Sequence, residues 1–151
     1  MKIRSPFLPA VLLLLLGGCA SVPMASLNMD NEAKTFQAPA NAARIYVYRN
    51  ESMGGAIPLT ISLDGKTLGQ TGPKTYFMVD VSPGQHQIDS YAENVSSLNL
   101  DTQAGKIYYV WQEIKMGMWS ARSVLHEVPE VQGQKGVMEC KMAQPNGVSS
   151  R

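Results

Sequence analysis

The sequence predicts a mainly β protein, a single antiparallel β-sandwich of about seven or eight strands followed by a short helix. Two observations predict it. After position 42, apolar residues alternate with polar ones at a period of two rather than 3.6. Turn signals containing glycine or proline recur about every 8 to 12 residues, which is the spacing of a sandwich or barrel and not of βαβ units.

The first strand is predicted at residues 44–49. Ile45 and Val47 alternate there with Tyr46 and Tyr48. Because successive strand residues point to opposite faces of a sheet, the aliphatic pair and the tyrosine pair lie on different sides.

A second alternation runs from Ile57 to Leu63 and predicts a half-buried strand. Pro58 has no amide donor, so it places this strand near a sheet edge or at its own start. Asp64 and Gly65 follow as a two-residue hairpin turn, because glycine accepts a positive φ. Further strands are predicted at residues 66–68, 76–81, 85–91, 97–102, 106–114 and 121–128, with turns at 82–84 and 104–105.

A short helix is predicted after the last strand. Val131, Met138 and Met142 would share one helical face, which is the spacing of a core-facing stripe. Gly133 and Gly136 weaken this prediction, because glycine is a poor helix former.

Residues 1–18 have the parts of a signal peptide. Lys2 and Arg4 give a positive start, and residues 7–16 are apolar. This run is too short to span a bilayer, which takes about 20 residues, but it has the length of a signal-peptide core. We expect cleavage between Gly18 and Cys19.

The four residues 16–19, Leu-Gly-Gly-Cys, resemble the lipobox of bacterial lipoproteins. The resemblance implies a diacylglyceryl thioether on Cys19, detectable as covalent palmitate, and a further acyl chain on the freed amine. Each buried methylene adds about 0.8 kcal/mol, so two or three chains hold a protein on a membrane almost permanently. Ala20 stands where inner-membrane lipoproteins usually carry Asp, which implies an outer-membrane destination facing the periplasm. The alternative is an ordinary secretory signal with an incidental cysteine.

Residues 19–42 are predicted to form the lipidated cysteine and a flexible tether, because they are rich in Ala, Ser, Asn and Pro and show no alternation. A flexible chain of this length spans roughly 25 Å, which would lift the domain clear of the lipid headgroups. Phe36 either docks back onto the domain or stays with the tether. The sandwich is predicted at residues 43–142 and a disordered tail at 143–151.

The charge of the chain argues against nucleic-acid binding. Without Lys2 and Arg4, 11 of the 13 basic residues remain against 12 acidic ones, a formal charge of −1. A near-neutral domain without a run of basic residues lacks the electrostatic footprint that phosphate backbones require.

Five short segments in a fixed order carry a family resemblance: ARIYVYR at 43–49, LDGKTLG at 63–69, TYF at 75–77, VSPGQH at 81–86 and AGKIYYV at 104–110. The set resembles the bacterial family called domain of unknown function 2846, over about residues 36–142. The Asp-Gly and Pro-Gly-x-His pair also resembles PEGA domains. These resemblances imply a transthyretin-like or immunoglobulin-like sandwich in the cell envelope, and they imply no reaction and no catalytic residue.

The candidate chemical groups are few. His86 and His126, assisted by Asp89 or Glu127, could form a metal pair, but their spacing fits no compact ligand motif. Ordinary structural histidines are the favoured interpretation, so no metal, no catalytic residue and no cofactor other than the lipid on Cys19 are expected. A small periplasmic hydrolase or metal-binding enzyme is the alternative function.

Aromatic residues on the strands allow a binding platform. Tyr46, Tyr48, Tyr108, Tyr109 and Trp111 cannot all face one side. One set packs the core, and the other either forms an exposed surface for a sugar or peptide or makes ordinary cross-strand pairs, which is the favoured interpretation.

Residues 115–119 are the most unusual stretch. Met116, Met118 and Trp119 lie beside a glycine between two predicted strands. On an exposed hairpin tip they would form an apolar patch of the kind used at adaptable interfaces. The alternative is a loop folded back over the open end of the sandwich. We take these three residues as the candidate contact with an envelope protein or a cell-wall polymer.

Cys140 is the only thiol left once Cys19 is alkylated. It is predicted to be a buried small residue, and a disulfide-linked dimer is the less favoured alternative. Together these features predict a lipid-anchored, non-enzymatic binding or assembly module of the envelope.

Overall fold

The structure, a computed structural model, describes residues 22–53, 55 and 57–146. The predicted signal peptide, Cys19 and the last five residues of the chain lie outside this part. The fold class is confirmed: the described chain is mainly β, with strands in two sheets. Its elements are α1 (Leu27–Ala33), β1 (Ala43–Arg49), β2 (Leu59–Leu63), β3 (Lys66–Thr71), β4 (Thr75–Val81), β5 (Gly84–Tyr91), β6 (Val95–Thr102), β7 (Ile107–Met116), β8 (Ala121–Val128), α2 (Glu130–Met138) and β9 (Lys141–Met142).

The two sheets differ in strand direction. The second sheet, in the order β3-β2-β5-β6, is antiparallel throughout, as predicted. The first, in the order β8-β7-β1-β4-β9, is mixed, because β1 pairs with β7 and β4 with β9 in parallel. Parallel neighbours need a long crossover, and between β1 and β7 it consists of the four strands of the second sheet together with β4 of the first.

The core between the sheets follows the predicted alternation. Ile45 and Val47 of β1 are fully buried against the second sheet. The outer face of β1 is also buried, so this strand is covered on both sides. The remaining buried members of the inter-sheet core are Val22, Ala43, Ile61, Phe77, Val81, Ile88, Leu100, Val110, Leu125 and Ala143.

The favoured interpretation of the strand aromatics, packing rather than an exposed binding platform, is confirmed for the outer face of the first sheet, because the two helices cover it. Tyr46, Tyr48, Tyr76 and Tyr109 are buried on the outer face of the first sheet beneath α1 and α2. Tyr46 and Tyr109 stack with ring centroids 5.4 Å apart. Stacked tyrosines therefore form a second core rather than a surface for a sugar or peptide.

The predicted tether is wrong from Val22 onward. Ser26 caps α1 by accepting a hydrogen bond from the Met29 amide at 3.3 Å, which is the usual role of serine at a helix start. Phe36 docks on Tyr46 with ring centroids 5.6 Å apart. This helix has only seven residues, so tertiary contacts hold it in place. Because its sequence has no apolar periodicity, it could not be predicted from the sequence.

Asp30 joins α1 to the first sheet. Its carboxylate accepts hydrogen bonds from the Tyr76 hydroxyl at 2.8 Å, the Met142 amide at 2.9 Å and the Lys34 ammonium at 2.8 Å. Burial raises the pKa of Asp30, but the hydrogen bonds from Lys34, Tyr76 and Met142 together outweigh it, so the pKa lies below its ordinary value.

Replacing Asp30 with Asn is expected to destabilise the domain by about 1 kcal/mol at neutral pH, since charged hydrogen bonds are stronger than neutral ones. A carboxylate with a lowered folded-state pKa stabilises the protein above its ordinary pKa, and this stabilisation is lost as pH falls through the folded-state value. Urea unfolding between neutral and acid pH should therefore show a smaller pH effect in Asp30→Asn than in the wild type. The matched control is Glu32→Gln, at an exposed carboxylate on the same helix. An equal loss in both variants would contradict the prediction.

The short helix after β8 is confirmed as α2, but the predicted buried face is wrong. Val131 is 83% and Met138 57% exposed, whereas Gly133 and Gly136 are buried. A Cβ on Gly133 would meet the ring of Tyr109, and one on Gly136 the ring of Tyr48. The glycines that weaken the helix are the residues that let it approach the tyrosines. Met142 lies beyond α2, buried in β9.

The predicted tail is wrong for residues 143–146. Ala143 is buried and bridges to Met24. The Asn146 amide donates to the Leu68 carbonyl at 2.6 Å. The N-terminal and C-terminal segments therefore pack together on the sandwich, and neither shows strand alternation because each makes one bridge only.

Candidate functional site

A long hairpin of β7 and β8 extends past the end of β1, and the turn between β5 and β6 of the second sheet lies beside it, with the Glu93 amide donating to the Ala121 carbonyl at 3.0 Å. The last parallel pair between β1 and β7 is Tyr48 with Trp111, and β1 ends one residue later, at Arg49. Strand β7 continues to Met116, where it pairs with Ala121. At about 3.3 Å per residue, the hairpin extends roughly 13 Å beyond the end of β1.

The tip of the hairpin has a defined shape. The Gly117 amide donates to the Ser120 carbonyl at 2.9 Å. Glu93, in the turn between β5 and β6, accepts hydrogen bonds from the amides of Met118, Trp119 and Ser120 at 3.1, 2.9 and 2.8 Å. These three backbone hydrogen bonds, the one from Trp119 most strongly, lower the pKa of Glu93. A charged acceptor from the other sheet thus fixes the tip backbone.

The tip side chains are exposed and do not fold back. Met116, Met118 and Trp119 are 82%, 80% and 89% exposed. They border a groove of about 320 Å³ whose base includes Ile114 and Ala121. Of the two alternatives for this stretch, the structure has the exposed apolar patch. We call Met116, Met118 and Trp119 the tip patch.

Two basic side chains stand directly behind the tip patch. Lys115 and Arg122 are opposite each other in the β7–β8 register, and both are exposed. The Lys115 ammonium lies 3.3 Å from the Glu113 carboxylate. Like charges at directly opposite positions destabilise a strand pair, but here Lys115 pairs with Glu113 and Arg122 lies near Glu93, which offsets the repulsion.

Arg49 is a structural residue that the sequence analysis missed. It is fully buried, and its guanidinium donates to the carbonyls of Ile57 at 2.9 Å and Met53 at 3.0 Å. Burial lowers the pKa of Arg49. It holds the segment between β1 and β2 against the base of the groove. Its alternation with Ile45 and Val47, which puts a charge at a core-facing position, was the signal that could have found it.

A chain of buried polar side chains connects the two sheets. The Thr71 hydroxyl lies 2.6 Å from the Gln112 amide oxygen, and the Gln112 amide nitrogen donates to the Ser90 hydroxyl at 2.7 Å. Ser90 and Ser123 share a hydrogen bond of 2.7 Å. All four residues are 0% exposed. They come from four different strands, so no local sequence motif identifies them.

The histidines are not brought together. His86 of β5 lies in the second sheet, with its ring nitrogens 2.7 Å from Asp64 and 2.7 Å from the Ser82 carbonyl. His126 of β8 lies in the first sheet, 2.8 Å from Glu113. The hydrogen bond with Asp64 raises the pKa of His86. Neither histidine pairs with Asp89 or Glu127, the carboxylates first considered.

Within the described ranges, no group of three or more His, Cys, Asp or Glu side chains is placed to hold a metal ion. Asp89 instead accepts hydrogen bonds from the side chains of Ser97 at 2.6 Å and Gln87 at 2.9 Å. The geometry of these groups is that of surface and core hydrogen bonding.

Cys140 is buried, as predicted, at 2% exposure. Its thiol contacts the Arg49 carbonyl at 3.5 Å, and burial raises the pKa of Cys140 to about 12. A protonated thiol inside the fold is a poor nucleophile for thiol–disulfide exchange. The disulfide-linked dimer stays a less favoured prediction.

The described part of the chain contains no helix with the length and apolar character to cross a membrane.

Comparison with known proteins places the sandwich in a family. The profile of the family described as "Protein of unknown function (DUF2846)" matches residues 39–124. The chain belongs to this family. An "Uncharacterized protein" of Haemophilus influenzae is 35% identical over 132 residues, which cover 86% of this chain and 79% of that protein. No solved structure gives a significant match.

The DUF2846 match runs from just before β1 into β8. It therefore includes the tip patch and Glu93, whereas α1 and α2 lie outside it.

Proposed function

We propose that this DUF2846 protein is a lipid-anchored, non-enzymatic contact module of the cell envelope, held by acyl chains on Cys19 at the outer membrane and facing the periplasm. The lipobox-like sequence before Cys19 supports the anchor. The proposed binding surface is the tip patch, which contacts another component of the envelope.

The observation that carries the contact surface is the combination of exposure and rigidity at the tip. Three large apolar side chains are at least 80% exposed on a backbone that Glu93 fixes with three hydrogen bonds. A fixed apolar protrusion is pre-organised for binding, because less conformational freedom is lost when it is covered. Such exposure is unusual in a monomer without a partner.

The enzyme alternative receives no comparable support. An active site needs titratable side chains that converge on one point. His86 and His126 lie in different sheets, and each is bonded to a different carboxylate.

The anchor is tested by metabolic labelling with palmitate. The wild type should incorporate the label and fractionate with membranes, and Cys19→Ser should lose both properties. Cys140→Ala is the matched control, because it removes the other cysteine without touching the lipobox. A Cys19→Ser variant that stays labelled and membrane-bound would remove the anchor from the proposal.

The contact surface is tested by thiol protection in isolated envelopes. In a Cys140→Ala background, Met118→Cys and Val131→Cys introduce thiols at positions of nearly equal exposure, 80% and 83%. A polar maleimide should modify position 118 at least about tenfold more slowly than position 131, since a covered side chain excludes the reagent. Equal rates would show that nothing covers the tip patch.

A further inference from the structure

We propose that the tip patch contacts the lipid surface that carries the anchor, with Met116, Met118 and Trp119 at the boundary between headgroups and acyl chains. This inference rests on the proposed lipid anchor and names the partner of the same surface. The sequence left an envelope protein or a cell-wall polymer as partners, and the position of the N-terminal segment favours a phospholipid bilayer instead.

The N-terminal segment enters the fold at the end from which the hairpin projects. Val22 is buried, and its side chain lies 3.7 Å from where a Cβ on Gly72 would stand. Gly72 is in the turn between β3 and β4, and its amide donates to the Thr75 hydroxyl at 2.9 Å. Thr75 pairs with Arg49, the last residue of β1. The segment is thus fixed at the level where β1 ends and the hairpin continues.

The reach of the chain then decides how the domain sits on the membrane. Only Ala20 and Ser21 separate Cys19 from Val22. Three Cα–Cα steps of 3.8 Å span at most about 11 Å. The hairpin extends roughly 13 Å from the same level, so the lipidated residue and the tip patch can reach one plane. A spacer of roughly 25 Å, as first predicted for a flexible tether, is not available from this sequence.

The two contact points are also separated sideways, which would fix the orientation of the domain. The N-terminal segment bridges to Ala143 beyond β9, and β7 carries the tip patch, with β1, β4 and β9 between them. At about 4.8 Å per strand, the two points are roughly 19 Å apart within the sheet. Two contacts at this spacing prevent the domain from rotating freely about a single anchor.

The order of apolar and basic groups along the hairpin matches the layers of a phospholipid surface. Trp119 is at the end, and tryptophan is enriched at membrane–water interfaces because it combines an apolar ring with an N–H donor. Lys115 and Arg122 stand one register step behind the methionine side chains, where they would meet phosphate groups. At the entry point, Met24 and Lys74 are each close to half exposed and repeat the same pairing of apolar and basic groups.

The test uses tryptophan quenching in vesicles. The mature lipidated protein is reconstituted into vesicles of phosphatidylglycerol and phosphatidylethanolamine, with bromine on part of the acyl chains. Trp119 should be quenched, and Trp111, half-buried in β7, should serve as the internal reference, since the chain has two tryptophans. The quenched fraction should fall at least about twofold in Trp119→Ser.

The control is Val131→Ser, which removes an equally exposed apolar side chain at the start of α2 and should leave the quenching unchanged. A palmitate-labelled protein whose Trp119 is not quenched would overturn this inference and leave the anchor standing. A protein adduct, in place of a lipid adduct, from a photo-crosslinker at position 119 in native envelopes would overturn it in the same way. A chain that carries no palmitate would overturn both the anchor and the inference.

Discussion

Replacing Gly136 with Ala is expected to destabilise the domain by about 2 to 3 kcal/mol. In an exposed helix the same change would stabilise by up to about 1 kcal/mol. Here the added Cβ would meet the ring of Tyr48, which is 2% exposed. Helix α2 would have to move away from the sheet, so the loss of packing outweighs the gain in helix propensity and the substitution is destabilising. Urea unfolding followed by circular dichroism measures the effect.

The control for Gly136→Ala is Lys135→Ala, at an exposed position of the same helix, which should change the free energy of unfolding by less than about 0.5 kcal/mol. A second variant separates the clash from other effects. Tyr48→Leu replaces the ring with a smaller side chain, so Gly136→Ala should reduce the free energy of unfolding much less in the Tyr48→Leu background than in the wild type. If Gly136→Ala raised the stability, α2 would not be packed on Tyr48 as described.

Replacing Gln112 with Leu should cost about 2 kcal/mol, although the two side chains have similar volume. Gln112 makes hydrogen bonds with Thr71 and Ser90 at 2.6 and 2.7 Å in the buried space between the sheets. A leucine leaves both hydroxyls with one partner fewer where water cannot replace it. Gln70→Leu, at an exposed position next to Thr71, should be nearly neutral.

The decisive measurement for Gln112 is a multiple-mutant cycle. Adding Thr71→Val, Ser90→Ala and Ser123→Ala to Gln112→Leu should recover part of the lost stability, because removing all members of a buried polar network is less costly than removing one. Strictly additive losses across the four substitutions would contradict a connected network.

The residues of the candidate site differ in whether the sequence alone could predict their roles. The tip patch could be found in the sequence, because Met116, Met118 and Trp119 are neighbours on one turn. Glu93 could not be assigned its role, since the tip amides that it binds are 25 to 27 residues further along the chain. The alternation that placed Arg49 at a core-facing position was visible, and the carbonyls that accept its hydrogen bonds are only four and eight residues away, but they belong to the segment before β2, whose path no local pattern indicates.

By itself the sequence determined the strands and turns of the sandwich, because alternation and turn chemistry depend on neighbouring residues. The predicted turn at Asp64 and Gly65 has the positive φ values, 50° and 75°, that its residue types allow. Only the tertiary structure decided that β1 is buried on both faces, that Gly133 and Gly136 form the packing face of α2, and that Val22 is packed in the core between the sheets. Each of these depends on which distant segment covers a surface, and a burial that comes from distant contacts leaves no periodic trace in the segment itself.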